Sequence, residues 1–378
     1  MDLTYTEAEQ AFRAEARAWL EANVPRGLAS GDTAAGFAQH VEWEKRLFDA
    51  RWAVVSWPER YGGREASLWE WLIFEEEYYR AGAPARVTQN GIFLLAPTLF
   101  EFGTVEQQER ILPRMAGAED LWCQGWSEPG AGSDLAATKS RAVRAADRGG
   151  WLLTGQKTWT TRGAFCTHLF GLFRTDPDSE RHRGLSYLMV PLDAEGVTVR
   201  GFQRLDGDEG FAEVFLEDVF VPDEAVLGEV GEGWRVAMAT AGSERGLTLR
   251  SPGRFLSAAE QLIALARERS GAATPLLRER VTRAWIDAEA YQLFTLQQVS
   301  AIVAGRSPGA ASSLNKVFWS ELDIRLHESA LDLLGADAEL DGPWSRGFLF
   351  SLAGPIYAGT NEIQRNIIAE RVLGLPRR

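Results

Sequence analysis

The fold of this chain is decided by the segment Trp122–Thr161, which reads WCQGWSEPGAGSDLAATKSRAVRAADRGGWLLTGQKTWTT. Its alternation of apolar and polar residues is typical of β-strands. The centre, Ser127–Asp134, contains Pro129, which fixes its own φ, and two glycines, which allow a positive φ. Such a loop brings backbone N–H groups and short hydroxyls close to a ligand. The final stretch, Lys157–Thr161, places an indole among hydroxyl groups, an arrangement that suits a flat, polar heteroaromatic ring such as a flavin.

The segment resembles the flavin-binding middle domain of the acyl-CoA dehydrogenase family, and the similarity extends over almost the whole chain. Ser127–Asp134 and Trp159–Thr161 resemble the two flavin strands of that family. Trp57–Gly63 (WPERYGG) resembles its N-terminal turn, and Gly359–Arg365 (GTNEIQR) resembles its C-terminal flavin-contacting motif. Several separate motifs that occur in the same order as in the family are not expected by chance.

Length and composition narrow the class of protein. A chain of 378 residues is expected to form two or three domains. The net charge of −13 argues against a nucleic-acid partner and against adhesion to an anionic membrane. The acidic N-terminus lacks a signal core, and no apolar run approaches the length of a membrane span. With only Cys123 and Cys166, no disulfide framework is expected, which favours a reducing cytoplasm.

The pattern of the chain predicts an α+β multidomain fold. Residues 1–120 are expected to form an N-terminal helical domain, which begins with a capping box at Thr6 and has a second one at Ser67. Residues 121–228 are expected to form a middle, mostly antiparallel β-barrel or sandwich that binds flavin and substrate. Residues 229–378 are expected to form a C-terminal four-helix bundle. No histidine stands near the Glu75–Glu77 run at ligand spacing, so no metal site is expected.

Individual elements are predicted from periodicity and from turn residues. The predicted strands after the central segment are Leu169–Phe173, Leu185–Val190, Val197–Phe202 and Ala212–Leu216. Besides the two helices that begin at these capping boxes, eight helices are predicted: Phe37–Trp52, Asn90–Phe102, Val105–Met115, Gly233–Ser251, Phe255–Arg269, Pro275–Val303, Ala310–Leu334 and Asn361–Leu373. A break is expected at Pro252.

The resemblance implies a catalytic carboxylate, and its usual place is changed. In many family members a glutamate directly before the Gly-Thr of the C-terminal motif takes the α-proton of a thioester, while a hydride passes to the flavin. Ala358 stands there in this sequence and cannot take a proton. Other members carry the glutamate on the first long helix of the C-terminal domain, and Glu244 matches that position. Its helical neighbours are mostly small residues, a face that suits a carboxylate projecting into a cavity. Glu244 is therefore the predicted base.

The resemblance also implies the ligand contacts. The flavin is expected to contact Gln124, Trp126, Ser127, Trp159, Thr160 and Thr161. The adenosine half of FAD is expected to contact Thr360 and Glu362, across a subunit boundary. Ser133 is expected beside both the cofactor and the pantetheine arm of acyl-CoA. The remaining substrate contacts are expected at Arg245, Tyr357 and Ala358, whose backbone N–H would bind the thioester oxygen.

Two further departures leave the function open among three alternatives. The stretch Arg269–Arg278 lacks the family's Phe-Gly, and the glycine-rich turn at Gly335–Ala338 is reduced, although both usually serve the FAD of a neighbouring subunit. The first alternative is an FAD-dependent acyl-CoA dehydrogenase, a homo- or hetero-oligomer (dimer or tetramer) that makes 2,3-enoyl-CoA and passes electrons to an electron-transfer flavoprotein. The second is a subunit of a heteromeric dehydrogenase that is inactive alone. The third is a flavin monooxygenase or oxidase on the same fold. Branched, long and polycyclic acyl groups all fit a base at Glu244.

Overall fold

The computed structural model describes residues 4–245, 251–306 and 309–377, and for residues 243–245 it describes the backbone alone. The described residues form two compact units. One, called here the helical unit, lies within residues 1–24, 66–83 and 245–378; the other, the sheet unit, comprises residues 25–65 and 84–244. The domain boundaries expected from the sequence stay a prediction.

The helices follow the predicted order closely. They are α1 (Glu7–Asn23), α2 (Ala34–Asp49), α3 (Leu68–Arg80), α4 (Ala96–Phe102), α5 (Val105–Ala116), α6 (Gly233–Arg245), α7 (Pro252–Glu268), α8 (Pro275–Val303), α9 (Ser312–Leu334), α10 (Pro343–Ser351) and α11 (Asn361–Ile367). The capping boxes predicted at Thr6 and Ser67 are both present at the starts of α1 and α3. The break expected at Pro252 is confirmed, because α7 begins there with Ser251 as its N-cap. The predicted helix Gly233–Ser251 runs through residues 246–250, which lie outside the described part.

In the helical unit, α3 packs against α1 and α7, and α7, α8 and α9 pack on one another. Phe255, Ala259 and Leu262 recur on one face of α7 at the helical period, and all three are buried. They meet Tyr291 of α8 and Trp319 of α9 in the core of the unit. Burial of this aromatic and aliphatic cluster stabilises the packing of these helices.

The sheet unit is organised around one eight-stranded sheet. Its strands are β1 (Trp122–Gly125), β2 (Arg141–Ala145), β3 (Gly150–Thr161), β4 (His168–Arg174), β5 (Leu185–Pro191), β6 (Val197–Phe202), β7 (Phe211–Pro222) and β8 (Val226–Leu227). Their order is β6-β7-β3-β2-β4-β5-β8, and β1 pairs with β4 in parallel. A single residue pair, Arg141 with Arg174, joins β2 to β4, so two mainly antiparallel halves share the core. The predicted fold class, with helical outer parts and a mostly antiparallel β middle, is confirmed.

Several elements differ in extent from the prediction; the helix predicted over Asn361–Leu373, for example, is α-helical only to Ile367. The strand predicted to end at Leu216 continues to Pro222, because inward-facing Val219 and Val221 resume the alternation after an irregularity in the pairing with β3. The helix predicted over Asn90–Phe102 starts as a π-helical segment, Asn90–Leu95, and becomes α-helical only at Ala96. No helix in the described part of the chain has the length and hydropathy needed to cross a membrane.

Candidate active site

Trp159 lies at a β-bulge near the end of β3. Lys157 pairs with Val214 and Thr160 with Ala212, so β3 carries one more residue than β7 between these two pairs. Trp159 has a φ of +56°, in the left-handed region that costs a non-glycine residue free energy. Bulges of this kind redirect a side chain away from the regular alternation. Here the bulge turns the indole outward, and Trp159 is 61% exposed.

Two aromatic rings hold this indole from the side. The ring of Phe202, at the end of β6, lies 5.2 Å from the Trp159 ring at 84°, and the ring of Phe211, at the start of β7, lies 5.5 Å away at 80°. Both are edge-to-face contacts, a favoured geometry for aromatic pairs. The indole therefore keeps much of its surface available while its orientation is constrained.

The neighbouring threonines differ in their surroundings. Thr160 is fully buried, whereas Thr161 is half-buried. The Thr160 side chain therefore lies in the core of the sheet unit, and Thr161 is the one of the pair that keeps exposed surface beside Trp159. The resemblance assigned both residues to the flavin, and these assignments stay predictions.

Buried polar atoms test whether a flavin suits this unit. Gln124 Nε2 at the end of β1 and Trp126 Nε1 just after it are buried and have no hydrogen-bond partner among the described residues, and the same holds for Thr160 Oγ1. Buried donors without a partner are costly, and in folded proteins nearly all of them find one. The edge of a flavin ring carries carbonyl oxygens and ring nitrogens that would accept from such donors. The residues present therefore fit the cofactor that the resemblance implies.

The loop Ser127–Asp134 is fixed to β3 by a buried ion pair. Lys157 is fully buried, and its Nζ donates to Glu128 Oε1 at 2.8 Å and to the Leu172 carbonyl at 2.8 Å. The Glu128 carboxylate also accepts from the backbone N–H groups of Lys139 and Ser140. The glutamate of the SEPGAGSD motif thus has a full set of protein partners and holds the loop rather than facing a ligand.

Burial and the charges of this pair together shift the pKa values of both groups. Burial acts to raise the pKa of Glu128, but the charge of Lys157 and the hydrogen bonds outweigh it, so the pKa lies below its usual range. Burial lowers the pKa of Lys157, and attraction to Glu128 opposes this only in part. A backbone bond from Thr158 N–H to the Ser127 carbonyl, 2.9 Å long, adds a second link between the loop and β3. Ser127 is therefore held beside the strand that carries Trp159.

Ser133 lies on the exposed side of the same loop. Next to it, Asp134 pairs with Arg181 at 2.6 Å, and both side chains are largely exposed. This position leaves the Ser133 hydroxyl accessible, as contact with a pantetheine arm would require.

The C-terminal motif, in the helical unit, has an unusual backbone. Ala358 has a φ of +57° and Gly359 a φ of +78°, so two consecutive residues are left-handed. The Gln364 side-chain amide donates to the carbonyls of both residues at 3.3 Å. Alanine in this conformation is strained, and Gln364, which is fully buried, helps to hold it. The backbone at Ala358 is thus held in one geometry although the glutamate side chain is missing, and the role of its N–H stays a prediction.

The neighbours of Ala358 have structural contacts as well. Thr360 is the N-cap of α11 and accepts from the Ile363 N–H at 3.3 Å. Glu362 is exposed in the first turn of that helix, and the hydrogen bonds of its own backbone and of Thr360 lower its pKa. The Tyr357 ring lies 5.9 Å from that of Trp319 in the core of the unit. Their roles toward FAD and substrate stay predictions.

The predicted base lies at the edge of the described chain. The backbone of Glu244 and Arg245 forms the last turn of α6, and the side chains of both residues lie outside the described part. The small residues expected around this helix are present, since Ala237, Thr240 and Ala241 are buried.

Two residues that shape these sites, Lys157 and Gln364, were missed from the sequence. Lys157 was treated as part of a ligand-facing stretch, and Gln364 was given no role. The alternation of β3 could have indicated that Lys157 is buried, because Trp151, Leu153 and Lys157 all fall on its inward-facing positions. A lysine at such a position requires a buried partner. No local pattern indicated Gln364, because its partners depend on the turn at Ala358.

Comparison with known proteins identifies the family of the chain. Profiles of the acyl-CoA dehydrogenase N-terminal, middle and C-terminal domains match residues 6–119, 123–219 and 231–373. The chain belongs to the acyl-CoA dehydrogenase family. The predicted enzyme class, a flavoprotein oxidoreductase of this family, is confirmed.

Individual known proteins are similar over 97% or more of their length. The chain is 43% identical over 380 residues to acyl-CoA dehydrogenase IpdE1 of Mycobacterium tuberculosis, with 97% of each chain covered. The solved structure named Tcur3481-Tcur3483 steroid ACAD has a TM-score of 0.89 at 28% identity and covers 100% of both chains. The ChsE4-ChsE5 complex from Mycobacterium tuberculosis has a TM-score of 0.85 at 29% identity, again with 100% of both chains covered.

Proposed function

We propose that this acyl-CoA dehydrogenase binds FAD and converts an acyl-CoA thioester to the 2,3-enoyl-CoA, with electrons leaving to an electron-transfer flavoprotein. The observation that carries the proposal is the pair of buried, unpartnered donors on Gln124 and Trp126 in the unit that exposes the Trp159 indole. A bound flavin ring would accept hydrogen bonds from these donors and would meet the flat apolar face of the indole. A cytoplasmic location, expected from the cysteine content, is part of the proposal.

Each group of residues has its own task in this reaction. A bound FAD would supply the acceptor for the β-hydride of the thioester. The Glu244 carboxylate removes the α-proton, which places a negative charge on the thioester oxygen as the proton leaves. The resemblance assigns the backbone N–H of Ala358 to that oxygen. The left-handed turn and Gln364 hold the backbone of Ala358 in one geometry. Trp159 would hold the flavin ring. The Ser127–Asp134 loop, held by Glu128, would position the Ser133 hydroxyl for the pantetheine arm.

The proposed substrate is the CoA thioester of a bulky, polycyclic acid. Ala358 replaces a glutamate side chain with a methyl group and so leaves more space beside the thioester. The similar solved structure named a steroid ACAD supports the same substrate class. Straight short-chain thioesters would leave that space unfilled and would bind more weakly.

A second candidate function is a subunit of a heteromeric dehydrogenase. The specific observation is that two of the most similar solved structures are named as pairs of different proteins, Tcur3481-Tcur3483 and ChsE4-ChsE5. The altered stretch Arg269–Arg278, which in the family usually serves the FAD of a neighbouring subunit, favours it as well. In this case the chain would keep its flavin and turn over only with the partner present.

The proposal is tested on the base by single-turnover reduction of bound flavin under anaerobic conditions. Glu244→Gln keeps the size of the side chain and removes its basicity, so reduction by a polycyclic acyl-CoA is expected to slow by at least about 10³-fold. Glu232→Gln is the matched control, because Glu232 is an exposed carboxylate just before the same helix and pairs with Arg235. Unchanged reduction in Glu244→Gln would refute the assignment, whereas equal losses in both variants would indicate damage to the helix.

A further inference from the structure

Asp32 connects two separate parts of the sheet unit through buried charges. It lies in the loop before α2, and its side chain is 12% exposed. Its Oδ1 accepts from Arg162 Nε at 2.6 Å, and its Oδ2 accepts from Arg204 Nη1 at 2.6 Å. Each carboxylate oxygen therefore pairs with a different guanidinium, and charge-assisted bonds of this length are among the strong ones in proteins.

The first connection leads to the strand end that carries Trp159. Arg162 directly follows Thr161, has a φ of +54°, and donates its backbone N–H to the Gly210 carbonyl at 2.9 Å. Its side chain also donates to the Arg86 carbonyl at 3.3 Å. Asp32 thus fixes the chain three residues after the indole, directly beyond the bulge.

The second connection leads to the aromatic rings that hold the indole. Arg204 lies in the loop between β6 and β7, pairs with Asp206 at 2.7 Å, and places its guanidinium 6.0 Å from the Phe211 ring. That loop joins Phe202 to Phe211, the two rings in edge-to-face contact with Trp159. A methyl group at Gly210 would lie 2.3 Å from Arg204 Nη1, so the glycine provides the space in which the guanidinium meets Asp32.

We propose that Asp32 is a positioning residue for Trp159: one buried carboxylate sets both the strand end and the aromatic loop that orient this indole. The inference rests on the proposed function only in assigning Trp159 to the flavin. An amide at position 32 could accept from one arginine but would present its own N–H groups to the other. One of the two connections would then be lost, and the left-handed Trp159 would relax toward an ordinary conformation.

The test observes the indole directly and FAD separately. The full-length chain is labelled with 5-fluorotryptophan, and the Trp159 resonance is assigned as the one missing in Trp159→Phe, among 14 tryptophans. Asp32→Asn and Gly210→Ala are compared with Asp223→Asn, which neutralises an exposed carboxylate paired with Arg144 in the same unit. FAD affinity is measured by titration of each variant.

Asp32→Asn is expected to shift or broaden the Trp159 fluorine resonance and to weaken FAD binding about tenfold, the factor for one lost hydrogen-bonded connection. Gly210→Ala, which keeps all charges, is expected to act in the same direction, and Asp223→Asn to leave both readouts unchanged. If Asp32→Asn does not fold, Gly210→Ala decides. An unchanged Trp159 resonance in the folded variants would overturn the positioning role. A shifted resonance with unchanged FAD affinity would support that role and contradict the assignment of Trp159 to the flavin.

Discussion

The buried pair of Lys157 and Glu128 gives the most specific stability prediction. Glu128→Gln keeps the shape of the side chain but leaves the Lys157 ammonium, which has no exposed surface, without its carboxylate. The ammonium would keep its contacts with the Leu172 carbonyl and the Phe173 ring. The new amide would also turn N–H groups toward donors, because both original oxygens accept hydrogen bonds.

The size of the effect follows from these contacts. Removing one partner of a buried pair costs about 3–5 kcal/mol, because the other charge stays desolvated. Since 1 kcal/mol shifts Tm by about 2–4 °C in a unit of roughly 200 residues, Tm is expected to fall by about 10 °C. Replacing both residues, in Glu128→Gln with Lys157→Met, removes the stranded charge. The double variant is expected to be more stable than the sum of the single changes by about 2 kcal/mol.

Thermal unfolding followed by fluorescence measures the four proteins of this cycle. Asp134→Asn is the matched control, since that carboxylate lies in the same loop and forms an ion pair of similar length that is largely exposed. Its Tm is expected to change by no more than a degree or two, because exposed pairs contribute little. The reasoning would be refuted if Glu128→Gln behaved like this control, or if the effects of the two single variants simply added.

Three further predictions follow from other sites. Trp159→Ala is expected to weaken FAD binding about tenfold while Tm changes little, because the indole is largely exposed; a FAD titration checks it, and unchanged affinity would contradict it. Ala358→Gly is expected to raise the free energy of unfolding by about 0.5–1 kcal/mol, because the position is left-handed, and Ala358→Val is expected to lower it. Denaturation midpoints in the opposite order would contradict this geometry. Burial acts to raise the pKa values of Asp32, Glu77 and Glu128. The paired arginines or lysine and their hydrogen bonds outweigh this effect, so each pKa lies below its ordinary value, which is 3.8 for Asp and 4.5 for Glu. The unfolded chain then binds more protons, so the stability that these groups supply above about pH 4.5 is lost as the pH falls; a Tm that stayed flat from pH 6 to pH 3.5 would contradict this.

Much of the fold could be predicted because its signals are local. The capping box at Thr6 needs only residues three apart, and the break at Pro252 needs only the ring of one residue. The strand Val197–Phe202 was predicted with its observed bounds, since alternation of side chains depends on neighbours alone.

What the sequence did not reveal depends on contacts between distant residues. The bulge at Trp159 is an extra residue relative to β7, so it is defined by pairing with a strand some fifty residues later. Glu128 and Lys157 are 29 positions apart and meet only after β3 has formed. Asp32 contacts Arg162 and Arg204 over separations of 130 and 172 residues. Such partners follow from topology, which a single sequence does not specify.

The measurement that tests the central claim most directly is the visible absorption spectrum of the purified chain with FAD, before and after anaerobic addition of acyl-CoA thioesters. The account predicts a bound flavin spectrum that bleaches with a polycyclic acyl-CoA and much less with a short straight-chain one. If the chain binds FAD but none of these thioesters bleaches the flavin absorption, either alone or with a partner subunit added, the assignment as an acyl-CoA dehydrogenating enzyme would be contradicted.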